Sequence, residues 1–268
     1  MVMGKRNMKI PFYQIDAFSK KIFGGNPAAV CLLESWLDDN ALQSIAAENN
    51  LSETAFLVPK SKGQYNLRWF TPTLEVDLCG HATLASAFVI FSFIDNTLSS
   101  VDFETASGLL SVAKSGEMLS MDFPARKPEP TEKSPIIAQA LGAEPLDVLK
   151  SRDLLVVFKD EATIRAMNPD YGKLKLIRNA FAVIVTAQGE KSDFVSRFFA
   201  PNAGVPEDPV TGSAHCTLIP YWADRLKKTK LHAFQLSERG GELFCENAGD
   251  RARISGHAVL YAKGRLYL

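Results

Sequence analysis

Glu53 is the residue best placed to carry acid–base chemistry. In Asn50-Leu51-Ser52-Glu53-Thr54-Ala55-Phe56 it stands where a helical stretch hands over to an apolar strand. A carboxylate held half-buried at such a boundary can take a proton from carbon and return it. Two other segments could hold the negative charge that this chemistry creates. Cys79-Gly80-His81-Ala82 and Thr211-Gly212-Ser213-Ala214 each set a glycine at the opening of an apolar helix. First-turn N–H groups lack an internal partner, the helix dipole is positive there, and glycine leaves room for a ligand. The same glycines could simply fit tight turns. His81 lies at the first start, where the dipole should favour its neutral form, or where it could be a turn residue alone. Asp208 and Ser213 flank the second start, and Asp208 could equally close the turn or help cap the helix.

Other chemistries find no support. The chain has no G-x-S-x-G elbow, Walker loop or dinucleotide fingerprint at a strand-to-helix turn. Gly24-Gly25-Asn26-Pro27 reads as a tight turn. His215 and Cys216 are adjacent, which does not suit joint ligation from one helix face, so neither a metal nor a cofactor is assigned. The four cysteines, Cys31, Cys79, Cys216 and Cys245, show no close pairing and suit a reducing compartment, so the expected location is cytoplasmic.

These residues need elements to position them. Short strands are predicted at 9–15, 28–33, 55–59, 65–70, 101–104 and 119–123, each β-branched or aromatic and bounded by turn residues. A helix is predicted over 38–50, started by Asp38 and Asp39 and carrying Leu42, Ile45 and Ala46 at helical spacing. Gly80 opens a second, apolar nearly all round to Ile94, which should be enclosed on most sides. The second half predicts strands at 154–158, 181–186, 194–199, 235–236, 242–246, 251–254 and 259–262, with a helix from Gly212 to about Lys228.

The two halves follow one plan. Phe70-Thr71-Pro72 matches Phe199-Ala200-Pro201, and each precedes a loop and a glycine-opened helix. Gly80 lies ten positions after Phe70 (80 − 70) and Gly212 thirteen after Phe199 (212 − 199), so the second loop is three residues longer. Asn26-Pro27-Ala28-Ala29-Val30 also resembles Asn179-Ala180-Phe181-Ala182-Val183. Matches in common order indicate a duplicated domain. Pro124, Pro128 and Pro130 exclude a central strand or helix interior between the copies, which makes this segment the linker.

Thirty basic and thirty acidic residues leave no net charge, which argues against a nucleic-acid partner. The basic run from Arg225 to Lys230 reads as a solvated helix C-terminus. The apolar window 82–94 is too short to span a membrane, and Lys5, Arg6 and Lys9 precede no stretch fit for a signal peptide.

Five collinear segments carry a family resemblance: Asp16-Ala17-Phe18, Gly25-Asn26-Pro27-Ala28-Ala29-Val30, Asn50-Leu51-Ser52-Glu53-Thr54, Cys79-Gly80-His81-Ala82-Thr83, and Asp208-Pro209-Val210-Thr211-Gly212-Ser213-Ala214-His215. The chain resembles the phenazine-biosynthesis (PhzF-like) isomerases over most of its length. The resemblance implies an α/β (α+β) diaminopimelate-epimerase-like fold of two pseudo-symmetric domains. Each would wrap a curved sheet around a central helix, with the active site between them. It implies domains at 1–123, with the last strand 261–268 returning, and at 131–260, and a homodimer. Glu53 matches the family's catalytic glutamate, and His81, Asp208 and Ser213 match its supporting residues. The reaction implied is cofactor-independent movement of a proton on a small unsaturated or amino carboxylate, with Gly80, His81, Gly212 and Ser213 binding the substrate.

One position departs from the related two-cysteine epimerases. Cys79 matches one of their catalytic cysteines, but the repeat sets Thr211 at the other place. A threonine does not readily serve as a base, so the two-cysteine mechanism is disfavoured. A mixed Glu53/Cys79 epimerase, an inert Cys79 and a non-catalytic carboxylate-binding protein remain as alternatives.

Overall fold

The computed structural model describes residues 8–268, so Lys5 and Arg6 lie outside the described residues. The chain divides into two compact units. One holds the described residues up to Phe23 with Pro27–Met121 and His257–Leu268, and the other holds Gly24–Asn26 and Asp122–Gly256.

The first run of elements is β1 (Lys9–Ala17), β2 (Asn26–Leu32), α1 (Asp39–Asn49), β3 (Glu53–Ser61), β4 (Gln64–Phe70), β5 (Glu75–Val76), α2 (Gly80–Val89), β6 (Ser100–Thr105), β7 (Gly108–Ser115) and β8 (Met118–Pro124). The second is β9 (Glu129–Pro130), α3 (Pro135–Leu141), β10 (Asp147–Lys150), β11 (Leu154–Val157), α4 (Glu161–Ala166), α5 (Tyr171–Leu174), β12 (Val183–Gln188), β13 (Phe194–Phe199), α6 (Gly212–Leu226), β14 (Lys230–Gln235), β15 (Gly241–Ala248) and β16 (Arg251–Gly256). A last strand, β17 (Ala258–Tyr267), pairs antiparallel with β1 along its length.

The duplication is written in the strand pairing. In the first unit β2 and β3 are parallel, β3 and β4 antiparallel, β4 and β6 parallel, and β6–β7 and β7–β8 antiparallel. In the second, β11–β12, β12–β13, β13–β14, β14–β15 and β15–β16 repeat those directions in the same order. Parallel neighbours need a crossover. Helix α2 crosses from β4 to β6, and α6 from β13 to β14. This pairing corrects one expectation. The counterpart of β2 is β11, whereas Asn179–Ala182 leads into β12, the counterpart of β3. The Asn26/Asn179 match therefore joins segments that are not equivalent.

Helix α2 packs against β1, β3 and β17. Ala82, Ala85 and Ala87 are fully buried, and their small side chains let the helix lie close to the strands. The buried hydroxyls of Thr83 and Ser86 donate back to the carbonyls of Cys79 and Ala82 at 2.6 and 2.7 Å, so neither hydroxyl is stranded by that packing. Each large apolar side chain removed from water contributes about 1.5–3 kcal/mol. Enclosure stops sooner than the sequence suggests. Ile90–Ile94 form a π turn, and Phe93 and Ile94 are exposed there. Among the described residues, no helix is long and apolar enough to cross a membrane.

Helix α6 packs against β14, β15 and β16 and contains Pro220, which cannot donate to the carbonyl of Cys216 four residues back. That carbonyl instead accepts from the Arg126 backbone N–H at 2.8 Å. The proline-rich segment thus supplies the bond that the helix proline withholds, and within it Glu129–Pro130 adds two residues of strand beside β10. Two strand expectations shift. Strand β14 lies at Lys230–Gln235 rather than 235–236, because Leu231, Ala233 and Gln235 alternate inward while Lys230, His232 and Phe234 lie on the less buried face. Strand β7 falls where no strand is predicted, because only Leu110 and Val112 are buried in a segment that also holds Gly108, Ser111, Lys114 and Ser115. The basic run is solvent-exposed from Lys227, where α6 ends in a left-handed cap, to Lys230.

Candidate active site

Local rules set Glu53 in place. Helix α1 begins on Asp38, whose carboxylate accepts from the Ala41 N–H at 2.9 Å, and ends on Asn50 in the left-handed region at φ 48°. Asn49 Nδ2 then donates to Thr54 Oγ1 at 3.1 Å, tying the helix end to the strand start. Glu53 is the first residue of β3 and stands opposite Ala28 in the parallel β2 register. Its side chain is 17% exposed.

His81, in the first turn of α2, is buried with its Nε2 at 3.1 Å from Glu53 Oε2. Its Nδ1 lies 3.5 Å from the sulfur of Cys79, the residue just before the helix. The structure therefore brings Glu53, Cys79 and His81 together, with Gly80 opening the helix between the last two.

The electrostatics overturn the expectation of a neutral His81. Burial pulls the imidazole down, but the neighbouring Cys79 sulfur and Glu53 carboxylate, by charge and by hydrogen bond, hold it well above the ordinary histidine range. Burial, reinforced by the charge on Glu53, pushes the Cys79 thiol up to about 11. At neutral pH Cys79 is thus a thiol, and the charge acting on the imidazole is that of Glu53. A helix N-terminus offers about 0.3–1 kcal/mol against the imidazolium. A carboxylate about 3 Å away offers several kcal/mol, even at an effective dielectric constant of about 20.

In the second unit Asp208 closes the turn ahead of α6 rather than capping the helix. Its Oδ2 accepts from Thr211 Oγ1, and its Oδ1 accepts from Asn26 Nδ2 at 2.8 Å. The Asn26 amide also donates to the Val210 carbonyl at 3.0 Å. Gln235 completes the turn: Nε2 donates to the Asp208 carbonyl at 2.8 Å and Oε1 accepts from the Thr211 N–H at 2.9 Å. Thr211 holds the position before α6 that Cys79 holds before α2. Gly212 opens the helix, and Ser213 Oγ accepts from Arg152 Nη2 at 3.3 Å. Asp153 pairs with that guanidinium at 3.1 Å, and the Phe181 ring lies 4.7 Å below it.

Sequence reading missed Asn26 as a partner of Asp208, together with Gln235 and Arg152. Asn26 was visible as the opening of a strand after a glycine turn, and Gly25 does adopt a left-handed φ of 67°. Nothing local marked Gln235 or Arg152. His215 is buried on α6 with Nδ1 against the Thr211 carbonyl at 2.9 Å, and burial lowers its pKa to about 4.

The family described as phenazine biosynthesis-like protein (PhzC-PhzF) matches residues 15–264. An uncharacterized isomerase of Pseudomonas aeruginosa is 54% identical, with 97% of this chain and all of that protein aligned. The crystal structure of a PhzF-family protein from Enterococcus faecalis superposes with a TM-score of 0.95 at 49% identity, covering 97% of this chain and all of that one. A hydroxyproline epimerase from Agrobacterium vitis shares the fold, with a TM-score of 0.65 at 9% identity, covering 99% of this chain and 94% of that one. The fold is thus one shared with an epimerase, and the protein is an enzyme of the isomerase type. On the extent of these matches, the chain is a member of the phenazine biosynthesis-like (PhzC-PhzF) family.

Proposed function

We propose that the protein is a cofactor-independent isomerase that moves a proton across one face of a small unsaturated or amino carboxylate, with Glu53 as acid and base. The observation that carries this reading is the clustering of Glu53, His81 and Cys79, whose ligand-type atoms all lie within 4.8 Å of one another. A two-base epimerase must reach one planar carbon from opposite faces. Each base would stand about 3–3.5 Å from that carbon, and so about 6–7 Å from the other. Cys79 and Glu53 are closer together than this, which argues against their acting as an opposed pair.

Glu53 removes a proton next to a carbonyl or conjugated double bond, and the negative charge spreads along the substrate. Its ion pair with His81, 3.1 Å between Oε2 and Nε2, orients the carboxylate. The first-turn amides of Gly80 and His81, and those of Gly212 and Ser213, stabilise the substrate carboxylate or the developing charge. Asp208, tied to Asn26 and Thr211, orients the reacting system. The proton returns from Glu53 to a second carbon on the same face, and no net charge is gained or lost.

The test is incubation with small unsaturated and amino carboxylates, and with a cell extract, in heavy water. Wild type, Glu53→Gln and Cys79→Ser are compared by mass spectrometry and chiral separation. Deuterium uptake or a new isomer that disappears in Glu53→Gln and survives in Cys79→Ser is the expected result. Inversion at one carbon that requires both residues would install the epimerase instead. Binding without exchange in every variant would leave a carboxylate-binding protein.

A further inference from the structure

We propose that Glu53, Cys79 and His81 also form a binding site for a soft divalent cation of the zinc class. The site lies wholly within the first unit and does not rest on the isomerase reading. A thiol sulfur, an imidazole nitrogen and a carboxylate oxygen lie within 4.8 Å of one another. This is a ligand set that zinc takes with a fourth position left open. Sequence spacing gave no hint of it, since Glu53 is remote in the chain from Cys79 and His81; the β3 start and the α2 start bring them together.

The geometry fits at the sulfur edge. Metal bonds of about 2.3 Å to sulfur and about 2.0 Å to nitrogen, at a tetrahedral angle, set those two ligands about 3.5 Å apart. Cys79 Sγ and His81 Nδ1 are 3.5 Å apart. Their mounts are rigid, because both belong to the buried start of α2. Glu53 now faces Nε2, on the other edge of the ring, at 3.1 Å. It reaches the ion by rotating its own flexible side chain, which is the least enclosed of the three. Binding exchanges the thiol proton for the metal–sulfur bond and the imidazolium Nδ1 proton for the metal–nitrogen bond, and both protons leave to solvent. An ion held there occupies the carboxylate, so metal binding and proton transfer by Glu53 exclude one another.

The test uses the full chain, freed of metal with a chelator, and Co²⁺ followed by Zn²⁺ as probes. One Co²⁺ per chain should give a near-ultraviolet thiolate-to-cobalt charge-transfer band, and Zn²⁺ should displace it. Cys79→Ser should abolish the band. His81→Gln and Glu53→Gln should each weaken Co²⁺ binding about tenfold or more, an effect typical of altered metal sites. Cys216→Ser and Cys245→Ser should leave the band unchanged. X-ray absorption of the Zn²⁺-loaded wild type, which needs no variant to fold, should show one sulfur among nitrogen and oxygen ligands. No band, a band that survives Cys79→Ser, or zinc without a sulfur neighbour would overturn the site. None of these readouts depends on turnover, so an inactive Glu53→Gln bears only on the isomerase reading.

Discussion

The Asn26 side chain donates to the carboxylate of Asp208 at 2.8 Å across 182 positions of sequence. The same amide reaches the Val210 carbonyl, so one side chain fixes both sides of the turn that leads into α6. Asn26→Ala removes a buried donor from two acceptors. It should cost about 1–3 kcal/mol, read as a lower urea midpoint with an unchanged slope. Asn26→Asp should cost more, since it sets a second carboxylate against Asp208. Equal stability of wild type and both variants would show that the bonds contribute nothing.

Glu53→Gln keeps the size of the side chain and removes its basicity. The loss in kcat/KM on any substrate found by the heavy-water screen should be about 10²–10⁴-fold. Cys79→Ser should remain within about tenfold of wild type, because a thiol with its pKa pushed up to about 11 is no base at neutral pH. A Cys79→Ser loss as deep as that of Glu53→Gln would contradict this.

His215 makes folding sensitive to mild acid. Its pKa falls from the ordinary 6.5 to about 4 in the folded chain because burial disfavours the imidazolium. Between those values the unfolded chain holds more protons than the native one, so stability falls as pH drops from 6.5 toward 4. A shift of that size corresponds to about 3 kcal/mol. His215→Gln should flatten this part of a stability-against-pH curve measured by denaturant titration. An equal acid slope in wild type and variant would assign the sensitivity elsewhere.

Gly241 tests how tightly the second helix start is built. A Cβ at that position would stand 2.2 Å from Val210 Cγ2, and Val210 is itself fully buried. Gly241→Ala should therefore cost about 1–3 kcal/mol in thermal or chemical unfolding. Because Val210 lies between Asp208 and Thr211, the strain should also disturb the turn. A crystal structure of the variant with that turn unmoved and stability unchanged would refute this.

Short-range chemistry was legible in the sequence. Asp38 starts α1, Gly80 and Gly212 open α2 and α6, and Glu53 stands where α1 gives way to β3, because caps, turn residues and apolar periodicity act within a few positions. The duplication was legible too, since both copies keep the same order of strand, loop and glycine-opened helix. Tertiary structure decided the rest. Parallel pairing of β2 with β3 and of β11 with β12 showed which segments are equivalent, because register depends on which strands meet rather than on local motif. It also decided the partners of Asp208, Thr211 and Ser213, which come from Asn26, Gln235 and Arg152. Most of all it decided the direction in which the His81 pKa moves: the helix dipole can be read from position in the chain, but the stronger field of Glu53 exists only where β3 and α2 place the two side chains 3.1 Å apart.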